Sequence, residues 1–277
     1  RATDVLSFAQ PAMVVVGAGF ISYFATQIGI PFWIAFFLGI ILTGILGFII
    51  ERTFLRPMVG EPVFSVAVLT IGIDILLRVV LDNWIGINPK YMGDPFPSFG
   101  NFGSLNIGGL TIKYLEVTAL LTSLLLIFVL SVFFKRSKYG VAMRATSLDQ
   151  EAALAQGINV GRVFGLVWFI AGLLAAFAGF FITGGFNTLT NSSFISALRA
   201  LPAVVIGGLD SITGAVIGSL IIGLTQAYVG YYQFDIESAY NIKLGNGFSI
   251  VAPYLIMFVI LLVKPHGLFG TEEVERV

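Results

Sequence analysis

Apolar runs follow one another along the chain, each near the roughly 20 residues that a helix needs to cross a bilayer, and short polar stretches part them. The runs fall at approximately 5–28, 31–50, 62–81, 114–134, 161–183, 203–230 and 248–263. The sixth does not fit a single helix. Apolar character continues from Phe194 to Gly230, and Gly207-Gly208-Leu209-Asp210-Ser211-Ile212-Thr213-Gly214 interrupts it. Two short or broken helices joined by that loop fit better, because irregular backbone at membrane depth survives only when buried in protein or lining a cavity. Gly207, Gly208, Asp210 and Gly214 therefore form a candidate broken-helix loop. The expected fold is an all-α integral membrane protein of about eight spanning or re-entrant helical elements, in one transmembrane domain over 1–277. The link 82–113, rich in Gly, Pro, Asn and aromatic residues, is expected to be an external loop with a small hairpin. Arg1 stands first and Asp4-Val5-Leu6 runs straight into the apolar stretch, so the first element is expected to be truncated in this chain.

Charge placement sets the orientation. The links 51–61 and 135–162 and the tail from 264 carry Arg52, Arg56, Lys135, Arg136, Lys138, Arg144, Arg162, Lys264 and Arg276, whereas 82–113 and 231–247 carry only Lys90, Lys113 and Lys243. The first set is therefore cytoplasmic. For 161–183 and 248–263 both to obey that orientation, 194–230 must cross twice or dip in and return.

Composition agrees and narrows the chemistry. The chain is 57% hydrophobic and 11% charged, with a mean hydropathy of +0.96, where soluble domains average about 25% charged residues. A formal net charge of zero argues against a nucleic-acid partner. With no cysteine and only His266 there is no thiolate or histidine cluster for a metal. No phosphate loop, His-Glu-x-x-His or Gly-x-Ser-x-Gly occurs, so neither catalysis nor ATP binding by a phosphate loop is expected of this chain.

Polar groups inside the runs are the next candidates, since charges in a span cost roughly 2.5–3.5 kcal/mol each and face protein or water. Asp74 and Arg78 stand four apart with the acid N-terminal, about 18 and 24 Å along their helix counted from Pro62. They could form a structural pair or belong to a pathway, or Arg78 could anchor at the outer interface. Arg199, before Leu201-Pro202, could meet a carboxylate or hold helix-end carbonyls. Gln10, Thr70, Asn187, Asn191 and Ser192 could hydrogen-bond within a bundle. Among 32 glycines, the Gly161-x-x-x-Gly165 and Gly214-x-x-x-Gly218 spacings would allow close helix approach.

The segment 135–162 is long and charged, and its middle spells a short helix at 148–156. Ser147 with Gln150 is a capping-box pattern, Asp149 and Glu151 place negative charge in the first turn, and Gly157 supplies a left-handed stop. A well-made helix between two spans needs a purpose. The order Glu151-Ala152-Ala153-x-x-x-Gly157 resembles the first half of the motif by which ABC importer permeases dock onto their ATPase subunits.

Further blocks are similar to the permease subunits of branched-chain amino acid ABC importers, a group that includes urea-type permeases. They are Leu6-Ser7-Phe8-Ala9-Gln10 with Val16-Gly17-Ala18, and Glu51-Arg52-x-x-x-Arg56-Pro57 followed by Thr70-Ile71-Gly72. Tyr139-Gly140-x-Ala142-Met143-Arg144-Ala145 and Gly157-Ile158-Asn159 with Arg162 come next. Val205 to Ala215 and Pro265-His266-Gly267-Leu268-Phe269-Gly270 complete the order. Gln10 and Pro11 stand where the family has His-Gly, and Asp74 where it is more often uncharged. The resemblance implies a multi-pass permease in a prokaryotic cytoplasmic membrane, surrounded by membrane lipid. It would pair with a second, homologous permease, two cytoplasmic ATPases that bind ATP and Mg, and an extracytoplasmic binding protein. No cofactor is implied in this chain. Ser147, Asp149, Gln150, Glu151, Ala152, Ala153 and Gly157 would then be the ATPase-coupling residues, with leucine, isoleucine and valine as first-choice substrates. Urea or another small organic solute is the alternative substrate. A self-sufficient channel or secondary carrier is the reading from another class, and it leaves the helix at 148–156 without a role.

Overall fold

The computed structural model describes residues 7–86, 90–93, 104–107, 110–184, 188–189, 193–209, 211–243, 245 and 247–270. In chain order these form α1 (Gln10–Ser22), α2 (Phe32–Ile50), α3 (Val63–Ile85), β1 (Lys90–Tyr91), β2 (Ser104–Ile107), β3 (Leu110–Lys113) and α4 (Tyr114–Arg136). There follow α5 (Lys138–Leu148), α6 (Gln150–Ala155), α7 (Val160–Gly184), β4 (Thr188–Leu189), α8 (Ser193–Leu198), α9 (Ala200–Gly207), α10 (Ile212–Tyr240) and α11 (Phe248–Val263). Five helical stretches among the described residues are long and apolar enough to span: Phe32–Met58, Phe64–Trp84, Tyr114–Arg136, Val160–Gly184 and Ile212–Tyr240. With α1, the short α8–α9 pair and α11 they account for the all-α membrane fold.

The chain divides into two compact units, with the boundary between Phe194 and Ile195. In the first, α1, α2 and α7 pack as a core of Val15, Ala18 and Ile21 against Phe36 and Ile40 and against Ala176 and Phe180. Lipid is as apolar as these side chains, so close packing rather than water exclusion must hold the helices. Glycine makes that possible at two places. A Cβ on Gly172 would run into the Thr43 carbonyl of α2, and one on Gly179 into the Val14 carbonyl of α1. The opposite face of α2 leaves Phe37, Ile41 and Ile45 exposed, as a lipid-facing stripe should. Within the link 82–113 β2 and β3 pair antiparallel, Ser104 opposite Lys113, giving the expected hairpin, and β1 pairs with β4.

The second unit corrects part of the sequence reading. The run at 203–230 is a short helix followed by a long one: α9 ends at Gly207, whereas α10 runs unbroken for 29 residues, through most of the expected 231–247 link. Its turn at Ser211 is well defined, the Ser211 hydroxyl accepting from Gly214 N–H at 2.9 Å. Leu268 and Phe269, after α11, donate backbone N–H bonds to the carbonyls of Ile206 and Gly207 at 2.8 and 3.1 Å. The end of α9 thus lies at the end of this unit that carries Lys264, beside the residues that follow α11. The segment 193–207 is shorter than a full span and α10 is long enough to cross, an arrangement compatible with the crossing or re-entry that the charge bias asked for.

Candidate functional site

Between α4 and α7 the chain builds two short helices with defined joints. Ser137 caps α5, its hydroxyl accepting from Gly140 N–H at 2.8 Å. Helix α5 then runs to Leu148, and Asp149 breaks it with an extended conformation, φ −159° and ψ 111°. The Asp149 carboxylate accepts from Ala152 N–H at 2.9 Å, so Asp149 is the N-cap of α6. The capping-box reading of Ser147 is corrected here. Ser147 lies inside the last turn of α5, where its hydroxyl donates to the Arg144 carbonyl at 2.8 Å. The short helix accordingly spans Gln150–Ala155 rather than 148–156.

Gly157 ends α6 as its spacing predicted, with φ +80°. Ile158 N–H bonds the Ala153 carbonyl at 3.0 Å and Gly157 N–H the Leu154 carbonyl at 2.9 Å, the bond pair of a Schellman stop. Two residues later Asn159 caps α7 through Arg162 N–H at 3.0 Å. On α6, Ala153 is buried, Gln150 is partly buried, and Glu151 and Ala152 are exposed. Leu148 and Leu154 are also exposed, 83% and 57%, two apolar side chains flanking an acidic first turn outside any span. Sequence reasoning did not single out these leucines, although apolar residues on a polar loop were the available signal.

A second feature escaped it as well. The last turn of α2 widens into a π-helical turn over Glu51–Leu55. Glu51, 1% exposed, accepts a two-pronged ion pair from Arg56, Nε to Oε1 at 3.2 Å and Nη2 to Oε2 at 3.1 Å. The same guanidinium donates to the Gly161 carbonyl in the first turn of α7 at 2.7 Å. Arg56 therefore ties the end of α2 to the chain that emerges from the α5–α6 segment. Here Gly161 and Gly165 make room for polar groups as well as apolar packing: a Cβ on Gly161 would sit 3.4 Å from the Arg56 guanidinium, and one on Gly165 would crowd the Phe48 ring and lie 3.3 Å from Glu51 Oε2.

Asp74 and Arg78 do form an ion pair on one face of α3. The carboxylate also accepts from Ala12 N–H at 3.1 Å, and the Thr70 hydroxyl one turn earlier accepts from Phe8 N–H at 3.1 Å while donating to the Ala67 carbonyl at 2.8 Å. Thr70 and Asp74 together satisfy amides at the start of α1, which an isolated helix in lipid would leave bare. Gln10 opens that helix. The Arg78 guanidinium lies 3.9 Å from the centroid of the Phe194 ring. Arg199 occupies the joint between α8 and α9, its Nε buried and without a hydrogen-bond partner among the described residues. Gly208 adopts φ +99° at the turn, and Gly207 and Gly214 pack backbone to backbone across it. Asn187 and Asp210, with Asn191 and Ser192, lie outside the described residues.

Comparison with known proteins adds the family. Residues 1–263 match the family model described as a branched-chain amino acid transport system permease component. The chain is 29% identical over 244 residues to the high-affinity branched-chain amino acid transport system permease protein BraD of Pseudomonas aeruginosa, covering 88% of this chain and 76% of that one. It is 30% identical to the corresponding permease protein LivH of Escherichia coli, covering 86% and 74%. It is 27% identical to a probable branched-chain amino acid transport permease protein LivH of Methanocaldococcus jannaschii, covering 98% and 84%. No solved structure matches.

Proposed function

Because the chain belongs to the family of permease components of branched-chain amino acid transport systems, we propose that it moves leucine, isoleucine and valine across the cytoplasmic membrane as one permease of an ABC importer. It is a multi-pass membrane transport subunit rather than an enzyme, working within a transporter complex. In the proposed assembly it pairs with a second, homologous permease, two cytoplasmic ATPases bind ATP and Mg, and an extracytoplasmic protein delivers the amino acid. The observation that carries this reading is the family match across residues 1–263.

The proposed docking element is α6. A helix held by Asp149 at one end and Gly157 at the other is a stiff body, and Glu151 and Leu154 on it, with Leu148 just before its cap, give an exposed mixed surface. Seated in a cleft of the ATPase, it would pass the motion of that subunit through Asn159 into α7. The Arg56 bond to Gly161 would carry the motion on to α2. The two permeases would then rock about a path between them.

The test is mass spectrometry of what accompanies the chain on gentle extraction, with Glu151→Arg beside it, together with uptake of labelled leucine and urea. Recovery of an ATPase with the wild type and its loss with the variant, along with saturable leucine uptake, is the expected result. A preparation free of ATPase that still transports would overturn the importer reading. Uptake of urea without leucine would overturn the substrate.

A further inference from the structure

Helix α4 is a full span, yet Leu115 is its one residue buried in protein among those described. It stands away from α7 along the cytoplasmic half of the pair, leaving an apolar crevice of about 680 Å³. Leu126 and Phe133 line it on α4, Leu166, Ile170 and Phe177 on α7, and Arg162 and Tyr139 stand at its cytoplasmic mouth.

We propose that this crevice is a binding site for an anionic phospholipid of the inner leaflet, with one acyl chain laid between α4 and α7 and the phosphate held by Arg162 and the Tyr139 hydroxyl. Three observations converge on that occupant. The first is depth. Arg162 to Phe177 is about 22 Å along a helix, which exceeds the half-thickness of about 15 Å from headgroup boundary to bilayer midplane. The second is lining. Apart from Arg162 and Tyr139, every side chain that lines the crevice is aliphatic or aromatic, the surface against which an acyl chain packs.

The third is charge. Arg162 is exposed, sits in the first turn of α7, where the helix dipole disfavours a cation, and has no carboxylate partner among the described residues. Lys135, Arg136 and Lys138 lie where α4 ends, on the same side of the membrane. Basic pockets between spans on the cytoplasmic side bind anionic headgroups. The lipid would act as mortar between the two spans that flank the cytoplasmic segment. The inference needs only that the chain spans a membrane, and it stands whichever solute is carried.

The assay is native mass spectrometry of the protein extracted with its partners and exchanged into equal mixtures of phosphatidylglycerol and phosphatidylcholine. The wild type and Lys243→Gln, a change on the external side, should retain phosphatidylglycerol about fivefold over phosphatidylcholine, the factor for about 1 kcal/mol from one basic side chain near an anionic surface. Arg162→Gln should retain lipid with that preference lost, and Ile170→Trp, which fills the crevice, should lose the lipid itself. Retention of phosphatidylglycerol unchanged in both variants would overturn the site. Should Ile170→Trp fail to assemble, titration of the wild type with the two lipids and with inorganic phosphate decides. Equal retention of both lipids, or competition by phosphate alone with no need of an acyl chain, would also overturn it.

Discussion

Replacing Arg56 by alanine strips a carboxylate that is 1% exposed of its partner and leaves the Gly161 carbonyl without its 2.7 Å donor. Breaking a buried pair from one side costs about 3–5 kcal/mol. The Arg56 side chain is 39% exposed, so water enters the vacated place and the low end, about 3 kcal/mol, is expected. At about 2–4 °C per kcal/mol for a chain of this size, the melting temperature should fall by about 6–12 °C. Removing both partners is different. A Glu51→Leu/Arg56→Leu protein has no orphaned charge and should regain most of that stability, because buried pairs replaced by apolar side chains are often neutral. It still lacks the bond from α2 to α7. Stability and coupling should therefore separate: in reconstituted vesicles the double variant should hydrolyse ATP at a near-normal rate yet move less amino acid per ATP. Arg56→Lys, which keeps the charge without the fork, should fall between. A melting temperature for Arg56→Ala within about 1 °C of wild type, or a double variant with a normal transport-to-ATP ratio, would refute the reasoning.

Other changes have equally defined outcomes. Asp149→Ala removes the cap of a six-residue helix and should cost about 1 kcal/mol and weaken ATPase recovery on extraction, Asp149→Ser should restore it, and Ser147→Ala should do little. Asp74→Ala orphans Arg78 and bares Ala12 N–H, and should lower the melting temperature by the equivalent of about 3 kcal/mol; Asp74→Asn, which keeps an acceptor for Ala12, should cost less. Gly172→Ala drives a methyl group into the Thr43 carbonyl and should destabilise by about 1–3 kcal/mol, whereas Gly223→Ala, with nothing within 4 Å of the new carbon, should be silent in the same melt.

The spans and the hairpin at 104–113 were legible because each depends on hydropathy or turn composition within one window. The stop at Gly157 was legible for the same reason. Ser147 was misread because the helical signal starting at Lys138 does not stop before it, so α5 absorbs Ser147 and Asp149 takes the cap. The long α10 was misread because the apolar run ends at Gly230, whereas the helix continues to Tyr240, with Gln233 buried and donating to the Gly245 carbonyl at 2.7 Å. The Glu51–Arg56 pair was hidden by periodicity. Residues five apart on an α-helix point about 140° apart, and only the π turn brings them to one face. The duty of Thr70 and Asp74 toward α1 joins residues 62 apart in sequence, beyond the reach of any local pattern.

That separation has a consequence for biosynthesis. Phe8 and Ala12 leave the ribosome well before the Thr70 and Asp74 side chains that accept from their amides. At about 5–20 residues per second, 62 residues take about 3–12 s to make. For that interval the first helix has no acceptor from its own fold for those two amides, and water, lipid headgroups or the insertion machinery must serve. Final seating of α1 is therefore timed by the arrival of α3. Slowing translation between codons 12 and 74 should lengthen the time for which the N-terminal region remains open to protease, with no change in the finished protein.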